Sequence, residues 1–239
     1  MVDIVNKLQS DLYRIFIEKE RWRYFVSGIK ITLSLTFYAL VIGIVLGVVV
    51  ALIRSSWDRL SPTMRRGPVR FLFRMVNAVC EIYLTVIRGT PIVAQLTIIY
   101  FVFKVAKSPS AILAFGINSG AYVAEIIRGG IMSIDTGQNE AGRSLGFNYV
   151  QTMWYIILPQ AIRNIVPALG NEFIVLLKET SVVGYIGTTD LLRGANIVMG
   201  LTFNATIPLF TAALIYLALT TLFTQLVRIV ERRLRDSDH

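Results

Sequence analysis

Acidic and amide side chains occur inside stretches that are otherwise apolar, and one of these stretches is GNEFIVLLKET (170–180). Charged groups in such surroundings are costly and usually face the interior of a helix bundle or a wet cavity. Glu172 and Glu179 share a helical face, whereas Lys178 does not face Glu172 well. We therefore expect Glu172 to have a cationic partner. That partner is either an internal side chain, such as Arg88 or Lys178 of this chain or of a second copy, or a cationic group of a bound ligand.

Further polar residues in apolar surroundings are candidates to line the same polar path. They are Asn171, Gln95, Asn118, Ser119 and Tyr122. For each of them, packing or hydrogen bonding between helices is the alternative role.

Residues that support catalysis or metal binding are scarce. The only histidine is His239, in a polar tail, and the only cysteine is Cys80, which excludes an intrachain disulfide and a cysteine-rich metal site. The sequence also lacks the GxxxxGK[ST] phosphate loop, so this chain is not expected to hydrolyse ATP in the usual way. We expect no catalytic residues, no metal site and no cofactor bound by this chain.

The elements that position these residues lie in a very apolar chain. Of its 239 residues, 54% are hydrophobic and 16% are charged, and the mean hydropathy is +0.61. The charge-free run 31–53 is longer than the roughly 20 residues that a helix needs to cross the hydrocarbon core of a bilayer. The net charge of +9 does not indicate nucleic-acid binding, because Lys and Arg lie mainly beside the apolar runs.

Hydropathy predicts an all-α integral membrane domain over residues 26–239. Five spans are expected, at about 26–53, 75–103, 109–128, 165–185 and 204–228, with a loop at 129–164. Gly43 and Gly47 form a GxxxG pair that would let another helix approach the first span closely. Pro91 in the RGTP sequence (88–91) predicts a kink or a helix start within the second.

Residues 1–25 precede the spans and are predicted to form an amphipathic helix on the membrane surface, with a solvated tail as the alternative. Its apolar positions recur at helical spacing and are Ile4, Leu8, Leu12, Ile15 and Phe16. Basic residues are more numerous in 54–74, 128–164 and 228–239 than in the segments on the other side. The excess predicts that the N-terminus lies outside, and that the C-terminus and the loop 129–164 lie in the cytoplasm.

The loop contains NEAGRSLGFNYVQTMWYIILPQ (139–160), which reads as two short helices at an angle. Asn139 can cap a first helix that begins near Glu140, and Gly146 permits a turn. A second, amphipathic helix is expected over about 149–157 and is closed by Pro159. The pair would form either a knob that fills a groove on a soluble partner or a hairpin packed against its own spans.

The loop resembles the EAA loop of the permease subunits of bacterial ABC importers. The residues that carry the resemblance, and that it assigns to contact with the ATPase, are Glu140, Ala141, Gly142, Gly146, Ile156, Leu158 and Pro159. Gly142 departs from the family, which usually has a second alanine there. The polar amino acid permeases of the family also resemble RGTPIVAQL (88–96), AYVAEIIRGGI (121–131), LPQAIRNIVPALGNEF (158–173) and LKETSVVGYIG (177–187).

The resemblance implies a type I ABC importer permease, which is a multi-pass subunit of the bacterial plasma membrane and not an enzyme. Its expected partners are two copies of a cytoplasmic ATPase that uses ATP, a second permease copy (identical or similar), an extracytoplasmic amino acid binding protein and membrane lipid. Nucleic acid is not among them. The polar path described above would then be the substrate path.

A basic amino acid (arginine, lysine or histidine) is the expected cargo, because its cationic group would satisfy Glu172 directly. Glutamine, glutamate or another polar amino acid is the alternative within the family. An ion-driven secondary transporter or a channel is the alternative from another class, although no inverted repeat is found in the sequence.

Overall fold

The computed structural model describes residue 6, residues 9–62 and residues 64–236. Within these residues the regular elements are all helical, which confirms the predicted class. The α-helices, in chain order, are α1 Trp22–Leu60, α2 Pro68–Gly89, α3 Ile92–Thr97, α4 Lys107–Met132, α5 Thr136–Ser144, α6 Tyr149–Thr152, α7 Leu158–Glu179, α8 Leu191–Thr202 and α9 Thr206–Asp236. The π turns are Tyr13–Ile17, Ile98–Val102 and Met153–Ile157, and the 3-10 segments are Glu18–Glu20 and Thr180–Ile186.

In the described part of the chain, three helices are long and apolar enough to cross a membrane, namely Trp22–Leu60, Lys107–Met132 and Thr206–Leu234. The pair Pro68–Gly89 and Ile92–Val102 would make a fourth if it is counted as one bent span. Helix α7, which contains most of the predicted span 165–185, does not pass the same test, because its amide and charged side chains lower its hydropathy.

The predicted span 75–103 is not one continuous helix. Helix α2 ends at Gly89, Thr90 is extended, and a new helix starts after Pro91, so that the two axes differ by 106°. The residue before a proline is driven out of the α-helical region, and proline has no N–H to continue the hydrogen-bond ladder. The predicted break at this proline is therefore confirmed, and it amounts to a sharp change of direction.

Helices α1 and α4 form the most extensive helix–helix contact among the described residues, and the contact is close. A Cβ atom added to Gly47 would lie 2.5 Å from Val123 Cγ1, and one added to Gly43 would lie 2.8 Å from Ser119 Oγ. The GxxxG pair thus provides the close approach that the sequence predicts. Small residues allow many van der Waals contacts between helices in lipid, where no hydrophobic force drives association.

The N-terminal segment packs partly against its own chain. Ile15 is fully buried beside Phe25, Leu191 and Ala195, whereas Leu12 remains exposed. Helix α1 already begins at Trp22, so the predicted boundary near 25 is a few residues late. Ile4 and Leu8, two positions of the predicted amphipathic pattern, lie outside the described residues.

Asp190 connects α8 to α9. Its carboxylate accepts hydrogen bonds from the amide N–H groups of Leu192 and Arg193, both at 3.1 Å, and from the Tyr216 hydroxyl at 3.2 Å. Burial raises the pKa of Asp190, and these hydrogen bonds oppose the rise. This capping role was not predicted, although aspartate directly before an apolar helical run is a recognised helix start.

We expect Gly47→Ala to lower the free energy of unfolding by about 1–3 kcal/mol, because the added methyl group would overlap Val123. Gly200→Ala is the matched control, since a Cβ at Gly200 meets nothing within 4 Å. That control should be neutral, or stabilising by up to about 1 kcal/mol, because alanine is the better helix former. Thermal unfolding of the purified chain in detergent measures both variants. Equal changes in stability in the two variants would mean that α1 and α4 leave room for a methyl group at Gly47.

Candidate functional site

Glu172 of α7 is a buried carboxylate at a helix interface. Its side chain is only 8% exposed, and Ser119 of α4 donates a hydrogen bond from Oγ to Glu172 Oε1 at 2.8 Å. No lysine or arginine among the described residues forms an ion pair with it. The structure thus joins two predicted path residues, Ser119 and Glu172, and no ion pair with a described residue compensates the carboxylate.

The two cations named as possible internal partners of Glu172 both lie elsewhere in this copy of the chain. The Arg88 guanidinium lies over the ring of Tyr122, 5.7 Å from its centroid. Lys178 is exposed at the end of α7. Arg88 and Tyr122 instead line a separate cleft between α1, α2 and α4. Arg88 reaches this cleft because it lies at the end of α2, just before the break.

Gln95 and Asn118 hold the break between α2 and α3. Gln95 Nε2 donates to the backbone oxygen of Ile87 and to Thr90 Oγ1, both at 2.9 Å, and Asn118 Nδ2 donates to Gln95 Oε1 at 3.2 Å. The last carbonyl groups of a helix have no partner within the helix, and Gln95 supplies one. Both amides therefore have a positioning role in addition to any contact with a substrate.

Helix α4 presents Asn118, Tyr122 and Glu125 on one face, since they are spaced by four and three residues. Tyr122 and Glu125 border a cavity of about 460 Å³ together with residues of α1 and α2. The full lining is Arg54, Glu81, Leu84, Thr85, Arg88, Gly89, Tyr122 and Glu125.

Charges of both signs line this cavity. Arg54 pairs with Glu81 at 3.6 Å, and Arg128, just beyond the lining, pairs with Glu125 at 3.2 Å. Glu125 was not among the predicted path residues. It is a charged residue within the predicted span 109–128, which is the same signal that pointed to Glu172. Asn171 is exposed one position before Glu172, so the two side chains leave α7 about 100° apart.

The loop 129–164 contains two short helices joined by a tight turn. Helix α5 begins at Thr136 and is capped by Asp135, whose side chain accepts from the Gly137 N–H at 2.7 Å. The predicted cap at Asn139 is thus wrong, because an aspartate four residues earlier has the geometry to start the helix.

Gly146 ends the first short helix as the sequence predicts. Its φ is +83°, the Phe147 N–H reaches the Gly142 oxygen, and the Gly146 N–H reaches the Arg143 oxygen. These bonds form a Schellman motif, which favours glycine at the left-handed position. Asn148 and Gln151 then form a capping box that starts the second helix at Tyr149.

Pro159 does not end the second short helix, in contrast to the prediction. It lies in the first turn of α7, where proline needs no hydrogen-bond partner. The chain runs from α6 through the π turn Met153–Ile157 directly into α7, and the Leu158 N–H bonds to the Met153 oxygen. Because the π turn already replaces the i→i−4 hydrogen bonds of an α-helix here, the missing N–H of Pro159 does not break a regular hydrogen-bond ladder.

The two short helices are held together on one side and exposed on the other. Gly142 is buried against Thr152, while Ile156 and Leu158 are half-buried. Glu140 and Ala141 are exposed. Large apolar side chains share this exposed surface, with Leu145 74%, Val150 69%, Trp154 66% and Tyr155 68% exposed. We call this exposed surface, defined by Glu140, Ala141 and these four residues, the knob surface.

We expect Gly142→Ala to disturb the contact between the short helices, because its Cβ would lie 2.7 Å from Thr152 Cγ2. The thermal stability of the purified chain should fall by about 1–3 kcal/mol in unfolding free energy. Adding Thr152→Ala should restore much of that loss by removing the side-chain atoms that clash. A double variant no more stable than Gly142→Ala alone would refute this account of the departure from the EAA pattern.

The described residues contain no group of three or more His, Cys, Asp or Glu side chains that could hold a metal ion. The described site consists of a buried carboxylate, a cleft of mixed charge and an exposed amphipathic surface.

Comparison with known proteins identifies a family over most of the chain. A sequence model for the binding-protein-dependent transport system inner membrane component matches residues 67–236. The arginine transport system permease protein ArtQ of Bacillus subtilis (strain 168) is 38% identical over 221 residues, which cover 90% of this chain and 94% of ArtQ. The putative glutamine transport system permease protein GlnP of Rickettsia bellii (strain RML369-C) is 36% identical over 217 residues, or 88% of this chain and 93% of GlnP.

A solved structure has a similar fold. A chain in the crystal structure of an amino acid ABC transporter with histidines is 42% identical to this chain and superposes with a TM-score of 0.80. The match covers 90% of this chain and 96% of that chain. At this coverage the similarity includes the whole helical domain and not the loop alone.

Proposed function

Since this chain belongs to the family of binding-protein-dependent transport system inner membrane components, we propose that it forms the translocation path for a basic amino acid and couples to an ATPase through residues 137–159. The chain is an amino acid ABC permease subunit and not an enzyme, and the ATPase is a separate subunit. This membership excludes the secondary transporter and the channel. Arginine, lysine or histidine is the proposed cargo.

The burial and the contacts of Glu172 are the observation that supports the proposed cargo. A carboxylate that is 8% exposed, with a serine hydroxyl as its hydrogen-bond partner and no cationic partner among the described residues, favours a cationic group on the ligand. The relatives are named for different substrates, since ArtQ is named for arginine and GlnP for glutamine. A path for glutamine is therefore the second candidate, and the cleft with Arg88 and Glu125 would suit the zwitterionic part common to all amino acids.

The proposed topology has five spans, an outer N-terminus and a cytoplasmic C-terminus. The basic residues at 54–74 and 228–239 favour this orientation by the positive-inside rule. Helix α7 would be the fourth span in spite of its polar residues, because Ala161, Ile165, Leu176 and Leu177 bury its apolar side against neighbouring helices. The family description favours the bacterial plasma membrane as the location.

The knob surface is the proposed contact with the ATPase. It combines an exposed carboxylate, Glu140, with exposed apolar groups on short helices whose ends are capped. Such a rigid amphipathic projection suits a groove on a folded partner. Two ATPase copies, a second permease copy and an extracytoplasmic binding protein complete the proposed assembly.

Glu172→Gln tests the cargo. In proteoliposomes with saturating binding protein, we expect the uptake of arginine to fall about 10- to 100-fold, because the charge-assisted interaction is lost while the shape is kept. Uptake of glutamine, where it occurs, should change little. Glu231→Gln, the same chemical change on the exposed end of α9, serves as the control. Unchanged uptake of every cargo would make Glu172 a structural residue.

Glu140→Lys tests the coupling contact. Reversal of this exposed charge should weaken ATPase association at least about 30-fold and abolish the stimulation of ATP hydrolysis by cargo. Thermal stability should be kept, since Glu140 is exposed. Co-purification and hydrolysis in reconstituted vesicles measure the effect, with Glu231→Lys as the control. If association and stimulated hydrolysis both persist, the knob surface is not the ATPase contact.

A further inference from the structure

A second cavity, of about 610 Å³, lies where α1 ends and α2 begins. It is distant in sequence from both Glu172 and the knob surface. Its lining combines three arginines with two aromatic residues and consists of Trp57, Arg66, Gly67, Arg70, Phe71 and Arg74. We call it the arginine cavity.

The three arginines lack a negative partner. Arg66, Arg70 and Arg74 are spaced by four residues, so that Arg70 and Arg74 share one face of α2. None of them forms an ion pair with a described residue. Arg70 donates from Nη1 to the Met64 backbone oxygen at 3.1 Å, which fixes its side chain without neutralising it. Like charges at this spacing repel each other, and an anion between them would remove the repulsion.

The surroundings of the arginines indicate the kind of anion. Trp57 follows the charge-free run 31–53 by one helical turn, and its ring meets that of Phe73 at 5.4 Å. Tryptophan is enriched at the depth of lipid headgroups. The apolar side chain of Phe71, which lines the cavity, is 67% exposed. A ligand at this place therefore has an anionic group beside a large apolar body.

We propose that the arginine cavity binds the phosphodiester headgroup of an anionic phospholipid. Arg66, Arg70 and Arg74 contact the phosphate, and the acyl chains lie along the exposed ring of Phe71. Basic cavities at the ends of membrane helices bind anionic headgroups in this way. In the orientation that belongs to the proposed function, the lipid comes from the cytoplasmic leaflet.

Two other sources of negative charge fit the cavity less well. Free phosphate would leave the exposed ring of Phe71 without a role. An acidic protein surface would set polar groups against the ring of Phe71, which is 67% exposed. The phospholipid satisfies the charge and the apolar surface together.

The test is a lipid titration of the purified full chain, followed by native mass spectrometry. Phosphatidylglycerol and phosphatidylcholine are compared as ligands, and inorganic phosphate is added as a competitor. The variant carries Arg66→Gln, Arg70→Gln and Arg74→Gln. The matched control carries Arg228→Gln, Arg232→Gln and Arg233→Gln, which remove the same charge from exposed positions of α9.

We expect the affinity of the variant for phosphatidylglycerol to fall about 10- to 100-fold, and that of the control less than about 3-fold. Phosphatidylcholine should bind the unchanged chain at least about 10-fold more weakly than phosphatidylglycerol, and millimolar phosphate should not displace the lipid. Retained affinity in the variant, equal binding of the two lipids, or displacement by phosphate would each overturn the proposal.

A second pair of variants covers the case in which the triple variant does not fold. Arg74→Gln alone should weaken phosphatidylglycerol binding about 5-fold, and Arg233→Gln should leave it unchanged. An equal effect of the two substitutions would also overturn the proposal. The assay contains neither cargo nor ATPase, so its failure would leave the proposed transport function untouched.

Discussion

The close contact of α1 with α4 is the constraint on which the other helices depend. In lipid, apolar side chains gain little by leaving their solvent, so helices associate through van der Waals contact and interhelical hydrogen bonds. Gly43 and Gly47 permit that contact, because a side chain at either position would overlap Ser119 or Val123. The fixed position of α4 then brings Ser119 within hydrogen-bond distance of Glu172 and aligns Tyr122 and Glu125 along the charged cleft.

The break between α2 and α3 is held by two residues that were predicted to line the substrate path. Pro91 ends the hydrogen-bond ladder, and the chain turns by 106°. The carbonyl groups left at the end of α2 are partly satisfied by Gln95, which in turn accepts from Asn118 of α4. Gln95 and Asn118, both predicted to line the path, therefore also fix the position of the break, and substitution of either amide would affect position as well as polarity.

The knob surface depends on a different kind of interaction. Its helices are too short to be stable alone, so their ends are fixed by Asp135, Gly146 and the Asn148–Gln151 capping box. Gly142 lets the two helices cross closely at Thr152. A rigid projection loses little conformational entropy when it docks, which suits the proposed contact with an ATPase.

The sequence by itself determined the helical class, the break at Pro91, the GxxxG contact and the turn at Gly146, because each depends on local backbone chemistry or on hydropathy along a short segment. Its motifs also identified the amino acid ABC permease family, and the comparisons confirm this family. Only the tertiary structure decided which groups meet. Glu172 contacts Ser119 and not Arg88 or Lys178, and Asp135, not Asn139, caps α5. Pairings of this kind depend on helix rotation and on residues distant in the chain, and spacing along one helix carries no information about either.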